Sequence, residues 1–156
     1  MSLSIGNKAP DFKLFNSEKG EVSLSDYKGK NLLILFFPQA FTGTCTTELC
    51  SVRDGIADFN NMEASVIAIS VDSLFTLAKF KETQNLNFPL LSDFNKTTSA
   101  DYGCLYEEFV FGMKGVSKRS AFIVDKNGVL QYVEILEKAG DLPNFDAIKS
   151  TLEKLK

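Results

Sequence analysis

Histidine and tryptophan are absent from the 156 residues, proline occurs four times and cysteine three times. Without histidine the chain has no imidazole to serve as a general base near neutral pH. Three thiols and no imidazole also leave a four-ligand zinc site dependent on carboxylates, so no metal is expected. Three cysteines are too few for a secreted disulfide scaffold, and an odd number fits free thiols or redox work in a reducing compartment. Neither charge is in large excess: 17 basic against 20 acidic residues give a net charge of −3, which argues against a general nucleic-acid or anionic-membrane surface. No apolar run approaches the roughly 20 residues of a membrane-spanning helix. The opening MSLSIGNKAPDFKLF lacks the basic and apolar regions of a secretory signal, so a cytoplasmic location is expected. Repeats, low-complexity tracts and linkers are missing, which predicts one domain over residues 1–156. No phosphate-binding glycine loop is found, and no cofactor is expected.

What is present is the composition of an ordinary globular protein, 44% hydrophobic and 24% charged, with 14 phenylalanines that suit an aromatic core and a dimer face. Three short apolar runs, NLLILFFP (31–38), SVIAISVD (65–72) and SAFIVDKNG (120–128), read as buried strands ending at turn formers. Between them, 46–61 places Leu49, Val52, Ile56 and Phe59 on one helical stripe. Residues 73–84 read as a helix capped by Ser73, and 144–156 as a final helix capped by Asn144. GVLQYVEI pairs with the preceding strand across Asn127-Gly128, and residues 12–27 form a hairpin around Glu18 to Gly20. The pattern predicts an α/β fold: a central mixed sheet flanked by helices, with an N-terminal β-hairpin, in a thioredoxin-like arrangement.

In this order of elements Cys45 falls in the first turn of a helix, just after the strand that Pro38 ends. The first amides of a helix have no helical partner, and the helix dipole adds partial positive charge. Such surroundings favour a thiolate and commonly lower a cysteine pKa by one or more units from about 8.5. Activation without histidine also calls for a cation. The chain has two arginines. Arg53 lies further along the same helix. Arg119 opens the strand 119–124 and reaches the corner only if that strand runs in the right direction. A guanidinium stays charged and offers several donors at once.

PQAFTGTC carries Pro38, Thr42 and Cys45 in the pattern P-x-x-x-[TS]-x-x-C, which resembles the peroxidatic motif of the peroxiredoxins. The resemblance extends over nearly the whole chain, through APDF (9–12), TTEL after Cys45, SVDS (70–73), FPLLSD (88–93), DYG (101–103) and KRSAFIVDKNGVL (118–130). FTGTC and LLSDFN resemble the alkyl-hydroperoxide-reductase-E-like group, whereas the second cysteine of CTTELC resembles the bacterioferritin-comigratory (PrxQ-like) group. The resemblance implies a thiol-dependent peroxidase that reduces hydrogen peroxide and organic hydroperoxides to water or alcohols. Cys45 would be the peroxidatic cysteine, oxidised to a sulfenic acid. Thr42 would bring its hydroxyl to the sulfur and the peroxide, and Pro38 would keep water away. Arg119 would stabilise the thiolate and the leaving oxygen, Glu48 would orient an arginine, and the amides of Thr44 and Cys45 would add donors. A thioredoxin-like or other dithiol protein would recycle the enzyme. A homodimer is implied, formed around residues 38–44 and 88–95.

The same resemblance makes Cys50 the resolving cysteine. Five residues apart on an intact helix, two Cα atoms lie about 8.7 Å apart and point about 140° apart. A disulfide needs less than about 7 Å, so the helix must unwind before a bond to Cys45 can form. In a one-cysteine enzyme Cys50 would only pack on the helix stripe and an external thiol would attack Cys45. Taken singly, these residues have plainer roles: a core cysteine, a loop threonine, a strand-ending proline, a glutamate favoured by the helix dipole. Cys104 is expected to be a buried, inert thiol. Phe36, Phe37, Phe41, Phe88 and Phe94 are expected in the core or a pocket wall. The competing functions are a thiol-disulfide oxidoreductase on the same fold, which would normally carry C-x-x-C, and a non-enzymatic redox sensor or binding protein.

Overall fold

A computed structural model describes residues 3–156. Three apolar runs supply the middle of the sheet. β3 (Asn31–Phe36), β4 (Ala64–Ser70) and β6 (Ser120–Val124) are buried along almost their whole length, as continuous hydrophobic strands must be when both faces are covered. β3 pairs in parallel with β4 and antiparallel with β6. At the N-terminal edge, β1 (Lys13–Asn16) and β2 (Glu21–Ser23) form the expected hairpin, its turn carrying Lys19 at φ 70°. At the other edge, β7 (Leu130–Ile135) returns antiparallel to β6 through a turn in which Gly128 takes φ 80°. A strand not expected from the sequence, β5 (Leu90–Ser92), joins the hairpin to the centre: it runs parallel to β4 and antiparallel to β1. With only three residues between Pro89 and Asp93, it is too short to show a strand period. The seven strands run β2-β1-β5-β4-β3-β6-β7 in one mixed sheet.

Alternation along the strands sorts the core into two layers. Leu33, Leu35, Val66, Ala68, Ala121 and Ile123 meet residues of α1 (Gly43–Asp54), α2 (Ile56–Asn61), α3 (Leu74–Gln84) and α5 (Phe145–Leu155). Leu32, Ile34, Phe36, Ile67, Ile69 and Phe122 face Ala9, Phe12, Tyr102 and Cys104 on the opposite side. The short α4 (Thr97–Asp101), also not expected, leads into Tyr102. Ser73 caps α3 by accepting from Thr76 N–H at 3.1 Å, and Asn144 caps α5 by accepting from Ala147 N–H at 3.0 Å, as their side chains predict.

The segment 46–61, read as one helix, is two. Gly55 ends α1, its N–H bonding Ser51 O at 3.1 Å, and begins α2. Glycine has the greatest backbone freedom to lose in a helix, so the chain breaks there while Val52 and Phe59 both stay buried. The strand read over 120–128 ends at Val124, because Asp125 accepts from the N–H groups of Asn127 and Val129 to form the turn. Phe36, Phe37 and Phe88 are buried as expected. Phe94 is 61% exposed on the wall of a hollow, and Phe41 is 49% exposed outside the core.

Candidate active site

β3 leaves the sheet after Phe37, whose N–H donates to Ile69 O at 3.0 Å. Pro38 has no N–H with which to continue the ladder, and it is buried where the chain turns. Asp72 ties this turn to the end of β4: one carboxylate oxygen accepts from Ala40 N–H at 2.8 Å and from Ser70 Oγ at 2.6 Å. Phe41 takes φ 66° and sets its ring against Phe80, centroids 5.1 Å apart. The chain then enters α1 with Thr42 at the N-cap position.

Thr42 does not cap with its side chain. Its hydroxyl donates to Gln39 O at 2.8 Å rather than to the Cys45 sulfur, which leaves the oxygen's lone pairs available. The first backbone bond of α1 runs from Thr46 N–H to Thr42 O at 3.0 Å. The amides of Gly43, Thr44 and Cys45 therefore precede the helical ladder, with their dipoles at the positive end of the helix. Cys45 lies third in α1 and is 1% exposed.

The antiparallel register decides which arginine meets it. Phe36 lies opposite Ser120, so Arg119, one residue before β6, sits beside the point where β3 gives way to Pro38. Both terminal nitrogens of Arg119 donate to Cys45 Sγ, each at 3.4 Å. Nη1 also bonds Glu48 Oε1 at 2.6 Å, and Nη2 bonds Ala139 O at 2.8 Å. The buried guanidinium is thus held between one carboxylate and one carbonyl with its fork aimed at sulfur. Arg53 is elsewhere: it bonds Asp54 and the carbonyl of Gln84.

Glu48 is fully buried three residues after Cys45 on α1. Burial pushes its carboxyl up to about 7, against the pull of Arg119. Among the described residues its second oxygen, Oε2, has no hydrogen-bond partner. Cys104 is buried on the other face of the sheet, and desolvation pushes its thiol up to about 12, the mark of an inert cysteine. Cys50 is half-buried on α1, its thiol donating to Gln84 Oε1 at 3.4 Å, and all three cysteines are free.

Pro38, Thr42, Thr44, Cys45 and Arg119 line one open cavity of about 370 Å³. Glu48 stands behind Arg119, and Cys50 lies outside. The far wall consists of residues with no earlier assignment, Phe109, Val110, Phe111 and Met113. Gln39 Nε2 reaches Met113 Sδ at 3.2 Å across the cavity. Phe111 is 97% exposed at φ 59°. The apolar run FVFGM was the only signal in the sequence for this wall. The Ala139 carbonyl gave none, because every residue has one.

A buried thiol in a helix's first turn is thus met by two guanidinium donors on the lining of an open cavity. The sequence pattern of the AhpC/TSA family matches residues 5–133. The chain belongs to that family. It is 38% identical over 149 residues to Peroxiredoxin-2 of Bos taurus, covering 89% of this chain and 70% of the bovine one. Its backbone is similar to peroxidoxin BcpB of Mycobacterium tuberculosis, with a TM-score of 0.87, 29% identity and 99% of each chain covered. A peroxiredoxin-like protein of Aquifex aeolicus superposes with a TM-score of 0.90 at 26% identity, over 100% of this chain and 90% of that one. As a peroxiredoxin the chain is a thiol-dependent peroxidase with a thioredoxin-like fold, acting on a peroxide and regenerated by a thiol reductant. Among the described residues no helix is long and apolar enough to cross a membrane.

Proposed function

We propose that Cys45 is the peroxidatic cysteine and that hydrogen peroxide and organic hydroperoxides enter the cavity above it. The observation that carries this reading is the pair of Arg119 donors on Cys45 Sγ. The thiolate attacks the terminal peroxide oxygen: an S–O bond forms, the O–O bond breaks, and water or an alcohol leaves after protonation. Cys45 becomes a sulfenic acid. Arg119 donates to the developing charge on the leaving oxygen, with the amides of Thr44 and Cys45 as further donors. Thr42, its own proton given to Gln39 O, accepts from the peroxide O–H. Pro38 walls the sulfur from water, and Glu48 fixes Arg119.

Cys50 then resolves the sulfenic acid, and a thioredoxin-like dithiol reduces the Cys45–Cys50 disulfide. The C-x4-C placement on one helix supports this assignment. The protein works as a homodimer. The exposed rings of Phe41 and Phe94, in the two segments 38–44 and 88–95, support that contact.

Stopped-flow oxidation of the reduced protein by hydrogen peroxide and by tert-butyl hydroperoxide tests the site, with Cys45→Ser as the inactive control. Arg119→Met is expected to slow oxidation by about 10²–10³, the usual cost of losing one such donor group. Thr42→Ser keeps most of the rate, while Thr42→Val loses much of it at an unchanged melting temperature. A wild-type rate in Arg119→Met removes the arginine from the chemistry.

A further inference from the structure

Asp72 stands outside the cavity lining, yet it holds the turn on which Thr42 depends. The peptide unit between Gln39 and Ala40 is bonded at both ends. Its N–H, on Ala40, donates to Asp72 Oδ2 at 2.8 Å, and its C=O, on Gln39, accepts from Thr42 Oγ1 at 2.8 Å. The unit is trans, so these two groups point in opposite directions from one rigid plane. Any rotation of that plane moves both bonds together. The Asp72 carboxylate therefore fixes the direction of the Gln39 carbonyl, and through it that of the Thr42 hydroxyl proton. Its charge acts in the same sense. An N–H drawn to a carboxylate leaves the carbonyl at the other end a better acceptor, because hydrogen bonds in series polarise one another.

Asp72 is itself held by the sheet. Ser70, fully buried at the end of β4, donates its hydroxyl to the same Oδ2 at 2.6 Å and accepts from Asp72 N–H at 3.2 Å. Ser92, at the end of β5, donates its hydroxyl to Asp72 O at 2.6 Å. Two neighbouring strands thus set the carboxylate in place against the Pro38 turn. The arrangement decides between two uses of Thr42. A threonine at an N-cap ordinarily accepts from an amide two or three residues on, here Thr44 or Cys45. Ser73 and Asn144 cap their helices in this way, but Thr42 makes no such bond. The bond to Gln39 O holds its hydroxyl out of the capping position, and the amides of Thr44 and Cys45 are left for the peroxide.

We propose that Asp72 is the positioning residue for Thr42: through the Gln39–Ala40 peptide it keeps the Thr42 proton on Gln39 O and the oxygen's lone pairs toward the peroxide. This rests on the acceptor role of Thr42 proposed above. Asp72 itself touches neither the sulfur nor the substrate. Without it the peptide plane is free to turn, and Thr42 falls back to capping α1. The helix then gains a cap, while the peroxide loses one acceptor and meets one amide donor fewer.

The test is a double-mutant cycle on the full-length reduced protein, with Asp72→Ala, Thr42→Val and the two together. The rate of Cys45 oxidation by hydrogen peroxide is read from loss of the reduced Cys45 peptide in acid-quenched samples. Alkylation of Cys45 by iodoacetamide, which brings no O–H for Thr42 to accept, is followed in parallel. Asp72→Ala is expected to slow oxidation about tenfold, the scale of one hydrogen bond to a charged group. In the Thr42→Val background it should cost less than about twofold, because the two residues act as one unit. Alkylation should stay at the wild-type rate in Asp72→Ala. Asp72→Asn keeps an acceptor oxygen for Ala40 N–H and should recover most of the oxidation rate. Should Asp72→Ala not fold, Ser70→Ala, which removes the hydroxyl given to the same carboxylate oxygen, takes its place in the cycle with a loss of about threefold. Equal slowing in the two backgrounds overturns the inference, as do a wild-type oxidation rate in Asp72→Ala, alkylation that falls in step with oxidation, or no gain from Asp72→Asn. A wild-type rate in Thr42→Val sinks the role of Thr42 itself, and that of Asp72 with it.

Discussion

Glu48 shows how much one residue's setting can decide. A glutamate early in a helix is commonly a solvated side chain near the positive end of the dipole. Here the helix turns it inward, to 0% exposure, against the Arg119 guanidinium. Removing one member of such a buried pair typically costs about 3–5 kcal/mol, since the other is left without compensation. The pair also gives stability a pH dependence. Folded, Glu48 holds its proton up to about 7, above its ordinary 4.5, because burial disfavours the anion. It binds more protons folded than unfolded between these values, so stability falls as pH rises across them. The contribution is complete below about 4.5 and lost as pH passes through about 7. Thermal melts from acid to mildly alkaline pH should show wild type losing stability relative to Glu48→Gln over this window. Parallel curves for the two proteins would show that Glu48 does not titrate there.

At the level of the element, α1 carries both thiols that the proposed cycle uses and has unequal ends. Its sequence GTCTTELCSVRD puts glycine and β-hydroxy residues, poor in helix propensity, in the first turns, and in the last a buried Val52 and an Arg53 bonded to Gln84 O. The break at Gly55 isolates this helix from α2, so strain from opening its first turns is not passed along a continuous rod. Hydrogen exchange is the direct measurement. In the disulfide form, amides of 46–49 should lose protection relative to the reduced protein, while 52–54 and α2 keep theirs. Uniform protection in both forms would mean that the disulfide closes without unwinding, contrary to the helix geometry.

For the whole molecule the exposed aromatic rings are the unspent feature. Phe15, Leu74 and Phe94 line one hollow of about 190 Å³, Phe75 follows on α3, and Phe41 packs on Phe80 of the same helix. Phe75 and Phe94 are 67% and 61% exposed. Sedimentation of the wild type at micromolar concentration should therefore report a dimer. Replacing Phe41 and Phe94 together by glutamate should give a monomer that keeps its circular dichroism. A monomeric wild type would overturn the homodimer, and a dimeric double variant would move the contact to another face.

Much of this was legible in the sequence because it depends on local chemistry. Apolar runs made β3, β4 and β6, side-chain oxygens at Ser73 and Asn144 started α3 and α5, and Asn127-Gly128 turned β6 into β7. The strand ending at Pro38 and the helical stripe that follows it put the thiol of Cys45 at the start of a helix. Tertiary structure decided what no local pattern encodes. The resemblance pointed to Arg119, but that Arg119 rather than Arg53 meets the Cys45 sulfur follows from β6 running antiparallel to β3, which sets Ser120 opposite Phe36. The Ala139 carbonyl and the Phe109–Met113 wall came from segments remote in sequence. Burial of Glu48, and with it a carboxyl that keeps its proton to about 7, required that chain to close around it. A sequence can specify which groups are available and where helices and strands begin. Which of them meet is set by strand direction and layer packing, through contacts between residues far apart along the chain.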